Sequence, residues 1–358
     1  MTGSNSDELR ALRGAVAELL AARSSDHDGD AMWDELAQMG LLGLLIPEHY
    51  GGAGAGLVEV GVVAEELGRV LYSGPYLSTA VLAVNVIVSV DDQGLHRQVL
   101  PEIAAGRTRV AVAFAEGGSA RPPATPLTRA DAGSTPLLSG TKRFVLDADT
   151  ADALYVLADS PAGPTLFAVD PTGPGVTISP MTTVDSSRRL SEVRFDDAAS
   201  RAVGEPGGGL AALSTALDRS AVALLGEQAG AARFAMQMAR DYAKTRYQFG
   251  RAIGSFQAVK HLCADMLLEA ESAVSAARHV ALTGDDADAS WTADLALAQA
   301  YCSDAFVFVA ATNIQVHGGI GFTWEHPAHR YLRRARSDAQ LFGSPSWHRE
   351  RYLHEIGA

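Results

Sequence analysis

Apolar positions recur along this chain with two different periods. Leu9, Leu12, Val16 and Leu19 with Leu20 return every three to four residues, the spacing of one helix face, and Ser6 or Asp7 is placed to cap the start. A second helical run carries Trp33, Leu36 and Met39 into the apolar stretch 41–46 and stops at Pro47. Gly51, Gly52, Gly54 and Gly56 make a loop. The helical period resumes over 57–71 and 76–90, so residues 7 to about 104 read as helices packed on a core.

From about 107 to 203 the texture changes. Short β-type runs lie at 110–114, 137–146, 154–157, 165–169, 176–178 and 192–195, separated by Gly, Pro and Asp turns. They predict a small antiparallel barrel or sandwich, with 121–136 as a surface loop. After the glycine-rich 204–209, four long alanine-rich helices are expected at 210–244, 255–282, 290–316 and 323–342, packed as a bundle. Helices, then strands, then helices place the sheet and the helices in separate domains of an α+β fold. The expected domains are 1–106, 107–204 and 205–358.

Composition narrows the function. The net charge of −13 argues against sequence-independent nucleic-acid binding, which needs a basic face, but leaves room for a local basic pocket. Two cysteines, Cys263 and Cys302, cannot build a disulfide framework or a multi-cysteine zinc site, which fits a reducing cytosol. The longest apolar runs fall short of the roughly 20 residues of a membrane span. The polar, acidic N-terminus lacks the features of a secretory signal. A cytoplasmic chain that meets no membrane is expected.

Two stretches carry specific chemistry: TRYQFGRAIGSFQAVKHLCADM at 245–266 and QVHGGIGFTWEHPAHRYLRRA at 315–335. Arg246 offers a planar fork of donors that matches a diphosphate. Gly318 and Gly319 lack a Cβ, so their backbone N–H groups can come close to an anion. With WDELAQMGLLGLLIPEHYGG at 33–52 and EELGR at 65–69, the whole chain resembles the acyl-CoA dehydrogenase family. The resemblance implies an N-terminal helical domain, a middle β-barrel or sandwich domain and a C-terminal four-helix bundle. It also implies FAD as cofactor, an acyl-CoA thioester oxidised across a CH–CH bond to the 2,3-enoyl-CoA, and an electron-transferring flavoprotein as acceptor. By the same resemblance, Arg246, Phe249, Phe256, Gln257, Gln315, Val316, His317, Gly318 and Gly319 face the FAD of a neighbouring subunit.

The family pattern breaks at the positions that serve a chain's own flavin and substrate. The base that removes the α-proton is a glutamate near the C-terminus; the matching residue is Phe342. The alternative position, after the bundle arginine, is Tyr247, whose phenol is a poor base near neutral pH. A Thr-Glu-Pro type loop is here Ala115, Glu116 and Gly117, and only the glutamate is kept. In the Gly-x-Lys-x-Trp-Ile-Thr strand, Phe144 keeps the aromatic and Leu146 replaces the flavin-facing threonine. Each lost flavin hydrogen bond costs about 1 kcal/mol. Asp218 and Arg219 fall where the family meets the adenylate of CoA, and its usual arginine aligns with Ala221.

This distribution of losses resembles the non-catalytic β-type subunit of actinobacterial heterotetrameric acyl-CoA dehydrogenases. Those enzymes act on CoA thioesters of steroid side chains, and a paralogue supplies the glutamate. Two other readings remain: a structural or regulatory pseudoenzyme that binds no flavin, and a homomeric flavoenzyme with another base or monooxygenase chemistry. Asp338, one turn before Phe342, is a displaced-base candidate; its simpler reading is a solvated or arginine-paired carboxylate. Arg330, Arg333, Arg334 and Arg336 are expected as an ion-paired surface. His326 and His329, with Pro327 between them, are a weak metal pair, and no metal is expected.

Overall fold

The computed structural model describes residues 3–22, 29–285 and 290–358. In chain order its helices are α1 (Gly3–Ala22), α2 (Gly29–Gln38), α3 (Leu57–Arg69), α4 (Val84–Ser89), α5 (Gln93–Ala104), α6 (Gly209–Thr245), α7 (Gln257–Asp285), α8 (Trp291–His317), α9 (Ala328–Asp338) and α10 (Pro345–Glu355). Its strands are β1 (Val110–Ala113), β2 (Arg129–Ala130), β3 (Leu137–Leu146), β4 (Ala153–Ser160), β5 (Gly163–Val169), β6 (Val176–Pro180), β7 (Leu190–Val203), β8 (Tyr247–Gln248) and β9 (Arg251–Ala252). An N-terminal helical domain, a middle sheet domain and a C-terminal helical domain follow one another, as the acyl-CoA dehydrogenase pattern implies.

Two compact units gather these elements. One holds Met1–Ser25, Leu57–Tyr72 and Ala221–Ala358; the other holds Asp26–Gly56 and Ser73–Ser220. In the second unit the sheet closes on itself. β3 pairs with β7, β7 with β5 and β5 with β4, all antiparallel. β2 pairs with both β3 and β4 and completes the circuit. β6 extends β7 and β1 extends β4. The barrel interior is apolar, built from Leu138, Val145, Val156, Phe167, Val193 and Phe195.

The sheet departs from the expectation in two ways. β1–β4 and β2–β4 are parallel, so the barrel is mixed. β2 also lies inside the run expected as a loop, because two residues carry no readable alternation. Beside the sheet, Tyr76–Ala83 opens as a π-helix and continues into α4. Thr79 ties it to β1 by exchanging hydrogen bonds with Val110 at 2.9 and 3.0 Å.

In the helical unit α3 crosses α6 at backbone contact. A Cβ on Gly68 would sit 2.1 Å from the Glu227 carbonyl, and one on Gly230 1.9 Å from that of Glu65, so both positions require glycine. Ala231, Ala235, Ala239, Met266, Phe306 and Val309 fill the bundle core.

Several boundaries moved. α1 starts before Ser6 and Asp7, which lie inside it. Gly40, at φ 74°, ends the turn after α2, so that helix does not run on to Pro47. The run expected as one helix at 323–342 is shorter: Pro327 caps α9, and the chain leaves it after Asp338. A fifth helix, α10, follows, with Ser344 accepting from Trp347 N–H at 3.3 Å and Pro345 in the first turn, both helix-start signals. Trp291–Phe322 is long and apolar enough to cross a membrane (mean hydropathy 1.4), against the expectation that no stretch is. Within the bundle 67% of that window is buried, as suits a core helix.

Candidate functional site

The end of α6 turns directly into a hairpin. Arg246 N–H still bonds Tyr242 O at 2.9 Å, in helical fashion, while Arg246 O accepts from Ile253 N–H at 2.8 Å. Between them β8 and β9 pair, with Tyr247 opposite Ala252 and Gln248 opposite Arg251. The two turn residues, Phe249 and Gly250, have φ of 54° and 78°. Paired positive φ is the hairpin geometry that Asn-Gly or Asp-Gly adopts easily. A phenylalanine there is strained by about 1–3 kcal/mol, and its side chain is 92% exposed.

Phe249 meets Phe256 edge-on, with centroids 6.2 Å apart, and the Arg251 guanidinium lies over Phe256 at 4.0 Å. Gln257 shares a 2.8 Å hydrogen bond with His261. Tyr247 is exposed on β8. The Arg246 side chain is exposed too, and no hydrogen bond or ion pair engages its guanidinium among the described residues.

A second segment lies at the same end of the bundle. At the close of α8, Gln315 points outward while Val316 joins the core. His317, 4% exposed, stacks on Tyr242 of α6 with centroids 4.3 Å apart. That stack brings the run 315–319 beside the turn of chain that presents Arg246. His317 also lies 4.2 Å from His326, whose ring is 6.5 Å from that of Tyr242. The Asn313 carbonyl can only accept, so His317 donates from Nδ1 at 2.8 Å, and its buried Nε2 has no protein partner. Burial lowers the His317 pKa, against that carbonyl bond; burial and the neighbouring His317 and His329 rings lower His326.

Gly318 has φ 63° and ψ −141°, a conformation essentially limited to glycine. A Cβ added at Gly318 or Gly319 would meet nothing within 4 Å, so the backbone faces open space. Of the run 315–319, the side of Gln315 and the two glycines are outward, and Val316 and His317 support them from within. The Gly318 N–H is given to Gln315 O and Ile314 O at the end of α8, so the exposed guanidinium and the open approach to Gly319 are what suit the diphosphate of a dinucleotide.

The sheet unit treats its matched residues differently. Glu116 is buried and accepts from Lys142 Nζ at 2.5 Å, Leu127 N–H at 2.6 Å, Thr128 N–H at 2.9 Å and Thr128 Oγ1 at 2.8 Å. Burial alone would raise its pKa; Lys142 and the Leu127 and Thr128 donors bring it below the usual carboxylate range. Lys142, fully buried, is drawn down by burial to about 8 although Glu116 supports its charge. Ala115 and Leu146 are buried and apolar. Phe144, at φ 55°, carries the Arg143 guanidinium 5.4 Å from its ring centroid. Ala221 and Arg219 also turn to internal contacts: Ala221 is core, and Arg219 Nε reaches Asn85 Oδ1 at 3.4 Å.

Phe342 sits at φ 60°, buried in the helical unit, and offers no proton acceptor. Asp338 is 1% exposed, which removes the solvated reading. The arginine cluster divides. Arg330 and Arg336 are exposed, and Arg333 lies over Trp324 at 5.0 Å. Arg334 corrects the surface expectation: it is fully buried, pairs with Glu227 and donates to Tyr72 O at 3.2 Å. Sequence reasoning missed the Arg334–Glu227 and Lys142–Glu116 pairs. Both join residues far apart in the chain, and no local period signals them.

Comparison with known proteins gives the family. The family model for the acyl-CoA dehydrogenase N-terminal domain matches residues 6–107, and that for the C-terminal domain matches 207–356. The chain is 33% identical over 351 residues to acyl-CoA dehydrogenase IpdE2 of Mycobacterium tuberculosis, covering 95% of this chain and 94% of that one. Among solved structures it is similar to a variant of the Tcur3481–Tcur3483 steroid ACAD, with TM-score 0.87, 30% identity and 98% of each chain covered. It is also similar to the ChsE4–ChsE5 complex from Mycobacterium tuberculosis, with TM-score 0.87, 27% identity, and 98% and 97% covered.

Proposed function

The chain belongs to the acyl-CoA dehydrogenase family, and from that premise we propose that it is the non-catalytic subunit of a heteromeric acyl-CoA dehydrogenase. In this reading it completes the FAD site of a paralogue that carries the catalytic glutamate. Two of the similar structures are named as paired chains, one of them a steroid ACAD, which supports a steroid side-chain CoA thioester as substrate.

The observation that carries the reading is the exposed Arg246 guanidinium beside the open backbone of Gly318 and Gly319, in a chain with phenylalanine at the base position. Bound FAD would supply a two-electron acceptor for the substrate's β-hydride. Arg246 would hold the diphosphate, and Gly319, with no Cβ, would let it come close to the backbone, the Gly318 N–H being already given to Gln315 O and Ile314 O. Phe249 and Phe256 offer an apolar surface for the adenosine half, and Gln257 offers an amide once it leaves His261. None of these groups moves a proton. Phe342 has no lone pair to take the α-proton, and Tyr247 is a phenol on an exposed hairpin, so that step falls to the paralogue. An electron-transferring flavoprotein would be the electron acceptor of such a complex.

The test is flavin stoichiometry. The chain purified alone is expected to be colourless and inactive toward acyl-CoA. Co-expressed with a paralogue that keeps the glutamate, it is expected to yield a yellow, active complex with one FAD per pair. Stoichiometric FAD with turnover in the isolated chain would overturn the reading.

A further inference from the structure

The end of the bundle that presents Arg246 carries more positive charge than Arg246 alone. In a chain where acidic residues outnumber basic ones 42 to 29, the two motif stretches 245–266 and 315–335 reverse the balance, with six basic residues and two acidic ones. Arg334 is buried against Glu227, and Arg333 lies over Trp324. The other four, Arg246, Arg251, Lys260 and Arg330, are exposed and form no ion pair among the described residues. The two carboxylates, Asp265 and Glu325, are exposed as well and offset only part of that charge. Lys260 N–H bonds Phe256 O at 3.1 Å, one turn into α7, and Arg330 N–H bonds Pro327 O at 2.9 Å, at the start of α9.

Aromatic rings are exposed at the same end. Phe322 is 76% and Trp324 65% exposed, just past the open glycines. Trp324 is held in place, edge-on to His329 at 4.6 Å and with the Arg333 guanidinium 5.0 Å from its centroid. An exposed ring that is already ordered loses little freedom on docking, and aromatic rings are the usual anchors of protein contacts. Cations left unpaired around such an anchor call for a partner surface of opposite charge. A second copy would bring the same positive face, and like charges oppose that pairing.

We propose that this face docks an acidic surface of the flavin-bearing paralogue, with Lys260 and Arg330 steering its approach and Trp324 anchoring the contact. The proposal rests on the subunit reading above and adds the chemistry of the partner's face: carboxylates opposite Lys260 and Arg330, and an apolar socket for Trp324. Neither cation nor Trp324 is among the proposed flavin contacts.

The co-expressed complex tests it, with dissociation followed by sedimentation over a dilution series at 50 mM and 500 mM NaCl. The Kd is expected to rise about tenfold or more with the added salt. K260E combined with R330E is expected to weaken the complex about tenfold at 50 mM NaCl and far less at 500 mM. W324A is expected to weaken it about equally at both, since an apolar contact is not screened. K260Q with R330Q should give a smaller shift in the same direction, and serves if the charge reversal does not fold. A complex whose Kd responds neither to salt nor to these substitutions would overturn the proposal and leave the subunit reading standing. Salt-sensitive self-association of the chain alone would assign the face to a second copy and overturn it too. No complex at either salt concentration would overturn the subunit reading and this proposal with it.

Discussion

In the sheet unit Glu116 gives its buried carboxylate to four internal donors, and the residues matched to flavin hydroxyls, Ala115 and Leu146, are apolar and covered. At the end of the bundle the Arg246 guanidinium has no acceptor among the described residues, and Gly318 and Gly319 have open space where a side chain would be. The same family pattern therefore survives in two states. In one region the retained polar residue has become structural, holding the loop at 127–128 to β3. In the other, Val316 and His317 pack inward, while the Arg246 guanidinium stays exposed with no acceptor among the described residues. Polar groups that a fold does not itself satisfy are the ones available to a ligand.

The largest effect should come from breaking the internalised region. E116Q leaves the Lys142 ammonium buried without its counter-charge and is expected to cost about 3–5 kcal/mol in urea unfolding. A cost under about 1 kcal/mol would mean that Glu116 is not structural and would collapse the contrast. F342E places a carboxyl at a buried position of positive φ. It is expected to lose about 2–3 kcal/mol of stability, and to give no acyl-CoA turnover when the isolated chain is assayed with added FAD. Turnover would return the chain to the catalytic class.

R246Q sharpens the outward side. It removes a charge-assisted contact worth about 1.5–3 kcal/mol, so flavin retention by the co-expressed complex should fall about tenfold or more. Unfolding of the isolated chain should shift by less than about 0.5 kcal/mol. The smallest effect is a pH dependence at the His317–His326 stack. Burial holds both pKa values below the ordinary histidine value of 6.5, so above that pH folded and unfolded forms are both neutral and the stabilisation is complete. As pH falls below 6.5 the unfolded chain takes up protons first, and stability is lost. Thermal unfolding followed from about pH 8 to pH 5 should show this slope, and H326Q should flatten it.

Much of this organisation is legible in residue patterns. The 3.6-residue period marks α1, α3, α6, α7 and α8, and β3 falls on its expected residues 137–146. Elements too short to carry a period were not legible: β2, the β8–β9 hairpin and the turn 318–322. The start of α10 was written in Ser344 and Pro345, yet it lies where the expected final helix already seemed complete. At the site, Arg246 and the glycines were readable from their motif. That Val316 and His317 face inward was not, because Tyr242, their packing partner, sits some 75 residues earlier in the chain.

Sequence alone determined the order of helices and strands, the phenylalanine at the base position and the arginine and glycines of the two motifs. These depend on local period and residue chemistry, which a linear chain displays. Tertiary structure decided which polar groups are consumed internally: Glu116 by Lys142, Glu227 by Arg334, Glu65 by three arginines, and Arg246 by none among the described residues. Pairing across long sequence separations depends on how backbones cross, as at Gly68 and Gly230, and no local spacing encodes that.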